Sequence, residues 1–390
     1  MSETAIFWDS RGNATELPPF PDSFQKSAPG DEAFEQYRAI LQAVEAALSL
    51  TIVGLDVCSQ NDNLVLEVEY EDGRRDIVRT PNPAIPDDER DNEGIAAMTR
   101  QAELLKWLNA NTSLSVPAIR CVVDGCSKHA YPIVVMEKLP GKMVLNCIGR
   151  ASRSAKASKC ERLLHAFAEF QIQLFRLSVP QRIGTACVSE GNLDVVPMLD
   201  APVTGYSSLE DYVLSALQAR ERRLSECQDA DTRARGAQIL SRIRKELCAI
   251  LALLQESFYR RCVLKHDDLA PVNMLMNDVG DLTGIIDWDY QSVLPAVLAV
   301  EYPSFIRYDG VLDPAYVLDA GEGMEIWWFV SPDDARSLKA LYTEIARAKD
   351  AEYHAALDNG ELLRHIVDWL GSSHELAVIA RWMDTVFPPA

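Results

Sequence analysis

The stretch VLKHDDLAPVNMLMNDVGDLTGIIDWDY, residues 263–290, decides how the rest of this chain is read. His266 and Asp268 are separated by one residue, and Asn273 follows five residues later. Two short apolar runs come next, 274–276 and 282–286, on either side of the turn Asp278-Val279-Gly280-Asp281. That pattern predicts a tight antiparallel hairpin. Asn273 falls just before the first strand and Asp287 just after the second, so antiparallel pairing would set them about 5 Å apart along the chain traces. An amide oxygen and a carboxylate held that close suit a hard cation such as Mg²⁺. Asp268, in the Pro-containing loop upstream, can then lie near the cation without being tied to it, as a general base or orienting group does. Asp267, Asp268, Asp287 and Asp289 crowd into 23 residues, and like charges so close call for a cation. Any one of these residues alone would read as turn or cap chemistry; the arrangement together argues for a site.

Outward from this stretch, the chain has 390 residues, 48% hydrophobic and 25% charged, which fits two domains or one bilobal unit and excludes disorder for most of its length. Thirty-eight basic against 58 acidic side chains give a net charge of −20. Such a chain repels phosphate backbones and anionic lipid, so neither a nucleic acid nor a membrane is expected as partner. Nine scattered cysteines without a C-x-x-C pair indicate neither a zinc site nor a disulfide framework. The polar, acidic start and the lack of a long apolar run lead to the expectation of a cytoplasmic protein.

Residues 1–30 carry four prolines and read as a loose arm, followed by a helix over about 32–48 with Tyr37, Ile40, Leu41, Val44 and Leu48 on one face. NLVLEVEY (63–70) alternates, Asp72-Gly73 is a hairpin turn signal, and RRDIVRT returns as a second strand. An acidic loop (86–93), a helix over about 94–110 and a strand in YPIVVMEKL (131–139) complete a β-rich part. Beyond Pro140-Gly141 the stripes turn helical: Leu163, Phe167, Phe170, Leu174, then Leu240, Ile243, Leu247, Ile250, Leu254, and a helical tail from Pro332 onward.

HDDLAPVN followed by IIDWD resembles the catalytic loop and metal-binding aspartate of the aminoglycoside phosphotransferase family, a fungal-type phosphotransferase enzyme family with the protein-kinase fold. The likeness continues in NLVLEVEYEDGRRDIVRTP, LLKWLNANTSLSVPAIR, YPIVVMEKLPG and QRIGTACVSEGNLDVVP, over roughly 55–310. It implies an α+β, bilobal protein-kinase-like fold: an arm and helix over 1–49, a small antiparallel N-lobe with one helix over 50–137, and a mainly helical C-lobe over 138–390. It implies a Mg²⁺- and ATP-dependent phosphotransferase acting on a hydroxyl of a small molecule. Asp268 would accept or orient the acceptor's proton, Asn273 and Asp287 would hold Mg²⁺, and His266 would brace the loop. Arg79 would lie over the α- and β-phosphates, and Met136, Glu137 and Leu139 would form the hinge that meets adenine. Arginine binds phosphate bidentately where kinases commonly use lysine. Ser59, Asn61 and Asn63, in a loop without glycines, either donate to the phosphates or form an ordinary polar turn.

One departure stands out. The position resembling the family's helical glutamate, the expected partner of Arg79, is Gln101, with Glu103 on the opposite helix face and Glu93 in the acidic loop. Either the alignment shifts there or the ion pair is absent, and the second case motivates the alternative of a catalytically weak or inactive kinase-like binding or regulatory protein. A protein kinase is disfavoured, because Trp-Asp follows Asp287 and no activation loop ends in A-P-E. Trp327, Trp328 and Trp369 suit core packing, or an aromatic wall which, with Glu322, Glu325 and Asp289, would take a cationic amine acceptor. The remaining histidines show no partner pattern, and oligomeric state is not legible.

Overall fold

The structure is a computed structural model, and it describes residues 5–17, 31–86, 92–124, 131–149, 153–198, 201–202, 205–310, 328–372 and 375–388. In chain order it begins with β1 (Ala5–Trp8), β2 (Ala14–Leu17) and α1 (Asp31–Leu48). Strands β3 (Ile52–Gln60), β4 (Asn63–Tyr70) and β5 (Arg75–Pro81) follow, then α2 (Asn92–Asn111), β6 (Ile119–Val123) and β7 (Ile133–Glu137). Strands β3 to β7 form one antiparallel sheet in the order β3-β4-β5-β7-β6. The alternation of β4 sends Leu64, Leu66, Val68 and Tyr70 to one face, where they join Val78, Ile133 and Val135 against Tyr37, Ile40, Leu41 and Val44 of α1. The opposite face carries Val134 and Met136 against Met98 and Ala102 of α2. The small lobe is thus a sheet between two helices, and α1 shares its core. The acidic loop at 86–93 lies mostly outside the described residues.

The large lobe opens with β8 (Lys142–Met143), α3 (Val144–Gly149) and α4 (Arg153–Arg176), then β9 (Gly184–Ser189), β10 (Asn192–Val196), α5 (Leu209–Ser225), α6 (Ala230–Leu253) and the short α7 (Ser257–Arg260). Strands β11 (Cys262–His266), β12 (Met274–Met276), β13 (Leu282–Ile285) and β14 (Gln291–Pro295) carry the deciding stretch. A single turn α8 (Ala296–Ala299) and helices α9 (Pro332–Lys349), α10 (Ala351–Asn359), α11 (Glu361–Gly371) and α12 (Leu376–Val386) complete it. The expected stripes on α4 and α6 are buried in one large core, with Ile250 at its edge. That core also takes Leu104, Leu105 and Leu108 of α2, so this helix is packed into both lobes. Helix starts are capped as their sequences imply: Ser208, Asp229, Ser331 and Asp350 each accept a backbone N–H of the first turn. No described helix is long and apolar enough to cross a membrane.

The expected loose arm is corrected in part. Residues 5–17 form a hairpin whose Trp8 exchanges backbone hydrogen bonds with Trp328, at 3.0 and 3.1 Å. Two four-residue strands are too short to show a period, so the sequence signal reduces to the buried pair Phe7-Trp8. Lys156 of α4 runs beneath β1: its Nζ donates to the carbonyls of Ile6 and Phe329 and lies 5.2 and 5.3 Å from the Phe7 and Trp8 ring centres. Burial pulls this amine down to about 8. An amine whose pKa is lower folded than unfolded is held charged at a cost below that value. Between about pH 8 and its ordinary 10.5 the unfolded chain binds more protons, so stability rises with pH across that window. Urea unfolding of the parent and of Lys156→Met should therefore show the parent gaining on the variant from pH 8 to 10, and hydrogen exchange over 5–17 should be faster in the variant.

Candidate active site

The loop between β11 and β12 is tied to its surroundings along its length. The Asp267 amide donates to the Tyr290 carbonyl at 2.9 Å, and the Asp267 carboxylate accepts from the Ser292 hydroxyl at 2.8 Å. Ser304 donates to the Leu269 carbonyl at 3.2 Å and the Leu145 amide to the Pro271 carbonyl at 3.0 Å. Within this frame Asp268 is exposed while Asn273 is buried. Asn273 Nδ2 donates to the Asp268 carbonyl at 2.9 Å and to Asp268 Oδ2 at 2.8 Å. Both partners are acceptors, so the amide nitrogen must face them and Oδ1 is left as an acceptor for something else.

The hairpin forms as the sequence predicts, with Met274 opposite Ile285 and the Ile286 amide donating to the Asn273 carbonyl at 2.9 Å. Asp287 follows with φ of 62°, a left-handed conformation that costs most residues energy and Asp and Asn least. It is held there from both sides. Trp288 is fully buried, donates to the Ile285 carbonyl at 3.3 Å and meets the edges of Phe170 and His266. His266 Nε2 lies 3.0 Å from the Ile286 carbonyl, so that nitrogen carries the hydrogen, while buried Nδ1 has no hydrogen-bond partner. Burial lowers the His266 pKa, and the ring is a neutral brace, not a proton carrier.

Arg79 on β5 joins the two lobes. Its Nη1 donates to Gln101 Oε1 at 3.1 Å, Asp289 Oδ1 at 3.0 Å and Asp287 Oδ1 at 3.4 Å, and its Nη2 donates to Asp289 Oδ2. The Arg79 and Asp289 side chains are 12% and 15% exposed, Asp287 42%. Burial raises the Asp289 pKa, with Arg79 opposing. Gln101 thus does face Arg79, as a neutral acceptor in place of a charged one. Glu103 is turned away to Lys106 at 2.7 Å, and the Glu93 side chain lies outside the described residues.

An implied Mg²⁺ fits these residues. Asn273 has spent its donors on Asp268 and keeps an acceptor oxygen, and Asp287 offers a half-exposed carboxylate whose contact with Arg79 is long. No group of three or more His, Cys, Asp and Glu gathers as a metal cage among the described residues. Two ligands suit a cation that takes its other positions from phosphates and water.

On the small-lobe side the expected loop is shorter: Ser59 lies in β3 and Asn63 opens β4, and the turn at Asn61 between them is fastened by a residue that sequence reasoning missed. Buried Asn82 donates through Nδ2 to the carbonyls of Gln60 and Asn61, both at 2.8 Å, and its amide donates to the Asp62 carbonyl at 3.0 Å. Its only sequence signal is an asparagine between two prolines. In the hinge, the Glu137 amide donates to the Ala118 carbonyl at 2.8 Å, so of Glu137's backbone pair only the carbonyl is left uncommitted by that bond. Leu139 rests on Gly284, where a Cβ would lie 2.3 Å from Leu139 Cδ1. Thr283 donates to the Pro140 carbonyl at 2.5 Å, so hinge and hairpin are one unit. Of the suggested acceptor wall, Trp328 and Trp369 are core residues and Asp289 is engaged by Arg79. Trp327, Glu322 and Glu325 lie outside the described residues, as do Cys126, His129 and His374.

The family model described as "Phosphotransferase enzyme family" matches residues 56–298. The "Clavilactone A biosynthesis cluster protein Y" of Ampulloclitocybe clavipes is 33% identical over 375 residues, 94% of this chain and 91% of that one. Among solved structures, aminoglycoside phosphotransferase APH(4)-Ia is 11% identical with a TM-score of 0.47, covering 90% of this chain and 92% of that one. Macrolide 2'-phosphotransferase MphH from Brachybacterium faecium is 15% identical with a TM-score of 0.43, covering 90% and 99%. The match over more than half its length, with the 33% identical relative, shows that the chain belongs to the phosphotransferase enzyme family.

Proposed function

We propose that this protein transfers the γ-phosphate of Mg²⁺-ATP to a hydroxyl of a small molecule. The observation that carries the reading is the Asn273 amide. It fixes Asp268 with both donors and keeps its oxygen as an acceptor, and the hairpin pairs Asn273 with Ile286, the residue before Asp287, so one buried side chain stands between the proposed proton acceptor and the proposed cation site. Asp268 takes or orients the acceptor's proton as its oxygen attacks the γ-phosphorus and the bond to the β-bridging oxygen breaks, leaving ADP. A Mg²⁺ held by Asn273 and Asp287 would neutralise phosphate charge. Arg79 adds a fixed cation beside the phosphates, the fastened turn of Asn61 and Asn63 closes over them, and Met136, Glu137 and Leu139 line the adenine side. Such a reaction asks chiefly for positioning and charge neutralisation. The boundary between the lobes falls at about 137–138 in this reading, with nucleotide between them.

The relative's name belongs to a biosynthesis cluster, which favours a metabolic or natural-product hydroxyl as acceptor over an aminoglycoside. The alternative of a binding or regulatory module rested on Gln101. It loses force because Arg79, though without a helical acid, is fully charge-paired by Asp289.

Asp268→Asn should leave nucleotide affinity near the parent's while lowering turnover by roughly 10²–10⁴, read as single-turnover phosphate transfer against calorimetric nucleotide binding. Asp287→Asn, chosen because asparagine tolerates the left-handed backbone, should abolish the Mg²⁺-dependent rise in melting temperature with ATP. In the parent that rise corresponds to about 2.7 kcal/mol at a hundred times the dissociation constant. Asn82→Ala leaves two turn carbonyls without their donor and should raise the KM for ATP several-fold with little change in kcat, while costing about 1–3 kcal/mol of stability.

A further inference from the structure

The cation that the small lobe offers to phosphate is normally steadied by an acid on the neighbouring helix. Here α2 supplies Gln101, a neutral acceptor 3.1 Å from Arg79 Nη1. Both oxygens of Asp289 instead take the fork of the guanidinium, and both side chains are largely withdrawn from solvent. A fork-to-carboxylate pair of this kind fixes direction as well as charge. Asp289 cannot easily shift, since its neighbour Trp288 is fully buried between Phe170 and His266. Arg79 Nε is also buried and has no hydrogen-bond partner, so the guanidinium is not steadied from that side.

We infer that Asp289 is the positioning residue for Arg79, performing from the large lobe the task that an acid on α2 would otherwise perform. Gln101 is its neutral second, aiming Nη1 without adding charge. The inference rests on the reading of Arg79 as a phosphate-binding group. Asp289 makes the two-pronged contact, and the single long contact with Asp287, at 3.4 Å, leaves that carboxylate half-exposed. It also places the phosphate-facing cation and Asp287 under the control of one three-residue segment, 287–289.

The test is calorimetric titration with ADP at fixed saturating Mg²⁺ on the parent, Asp289→Asn, Gln101→Glu and the double variant. Asp289→Asn leaves a buried arginine without its counter-ion, and ADP affinity should fall about tenfold or more. Gln101→Glu alone adds a further carboxylate to the Asp289 and Asp287 already on Arg79 and should weaken binding several-fold. In the double variant the carboxylate introduced by Gln101→Glu stands where the missing charge is needed, and affinity should return to within a few-fold of the parent. Recovery separates a positioning role from a merely structural one, because both substitutions are then present and binding is restored. Parent-like or tighter ADP binding by Asp289→Asn would overturn the inference, since Asp289 would then be a competitor of the phosphates. Loss without recovery in the double variant would also overturn it and assign Asp289 to the cation or to the fold. If Asp289→Asn folds too poorly to titrate, Gln101→Glu decides, and unchanged affinity there counts against the inference. A parent that binds no ADP would sink the phosphotransferase reading itself, and this inference with it.

Discussion

A guanidinium largely out of water has to be paired, and in this protein its partners come from both lobes. Arg79 leaves the small-lobe sheet on the face covered by α2, meets Gln101 there, and reaches across to Asp287 and Asp289. Removing charges from water is costly unless geometry and hydrogen bonding compensate. The pairing therefore constrains where the hairpin end can stand relative to β5. Helix α2 reinforces the constraint, since Met98 and Ala102 pack on the small-lobe sheet while Leu104, Leu105 and Leu108 enter the large core. Gln101 sits between these two sets, on a helix that cannot swing freely against either lobe.

On the large-lobe side the same segment is held by apolar packing. Trp288 fills the core under the site, and its edge contacts with His266 and Phe170 make the ring a peg through the 263–290 stretch. The strained backbone at Asp287 persists because the peg on one side and the paired strand on the other leave it little choice. His266 contributes as a single-donor brace to the Ile286 carbonyl. Burial lowers the pKa of this ring, which favours the neutral form that a single-donor brace requires.

Much of this was legible in the residues. A strict period of two in 63–70, turn signals at Asp72-Gly73 and 278–281, and stripes on α4 and α6 are local patterns that survive folding unchanged. The spacing of Asp268, Asn273 and Asp287 was readable because one hairpin brings them together, which needs only short-range pairing. What escaped depends on contacts distant in sequence. Arg79 and Asp289 are 210 residues apart, and no local pattern announces that they meet. Asn82 works through carbonyls of a turn about twenty residues away, and β1 is held by Lys156, 150 residues on from Ile6, and by Trp328 still further along the chain. The Gln101 departure was visible, but its meaning was not: a missing charge on a helix can be supplied by any acid that the fold brings within reach.

That substitution has a mechanical consequence. An acid on α2 would tie Arg79 to the position of a helix, so the placement of its guanidinium could be switched by moving that helix. With Asp289 as the anionic partner, Arg79 is tied to the segment that also presents Asp287, and that segment is pegged by Trp288 into the large core. The helix, packed into both lobes, contributes only a neutral hydrogen bond. A site built this way has its cation and its carboxylate aligned by one rigid element and gives up the helix as a control point.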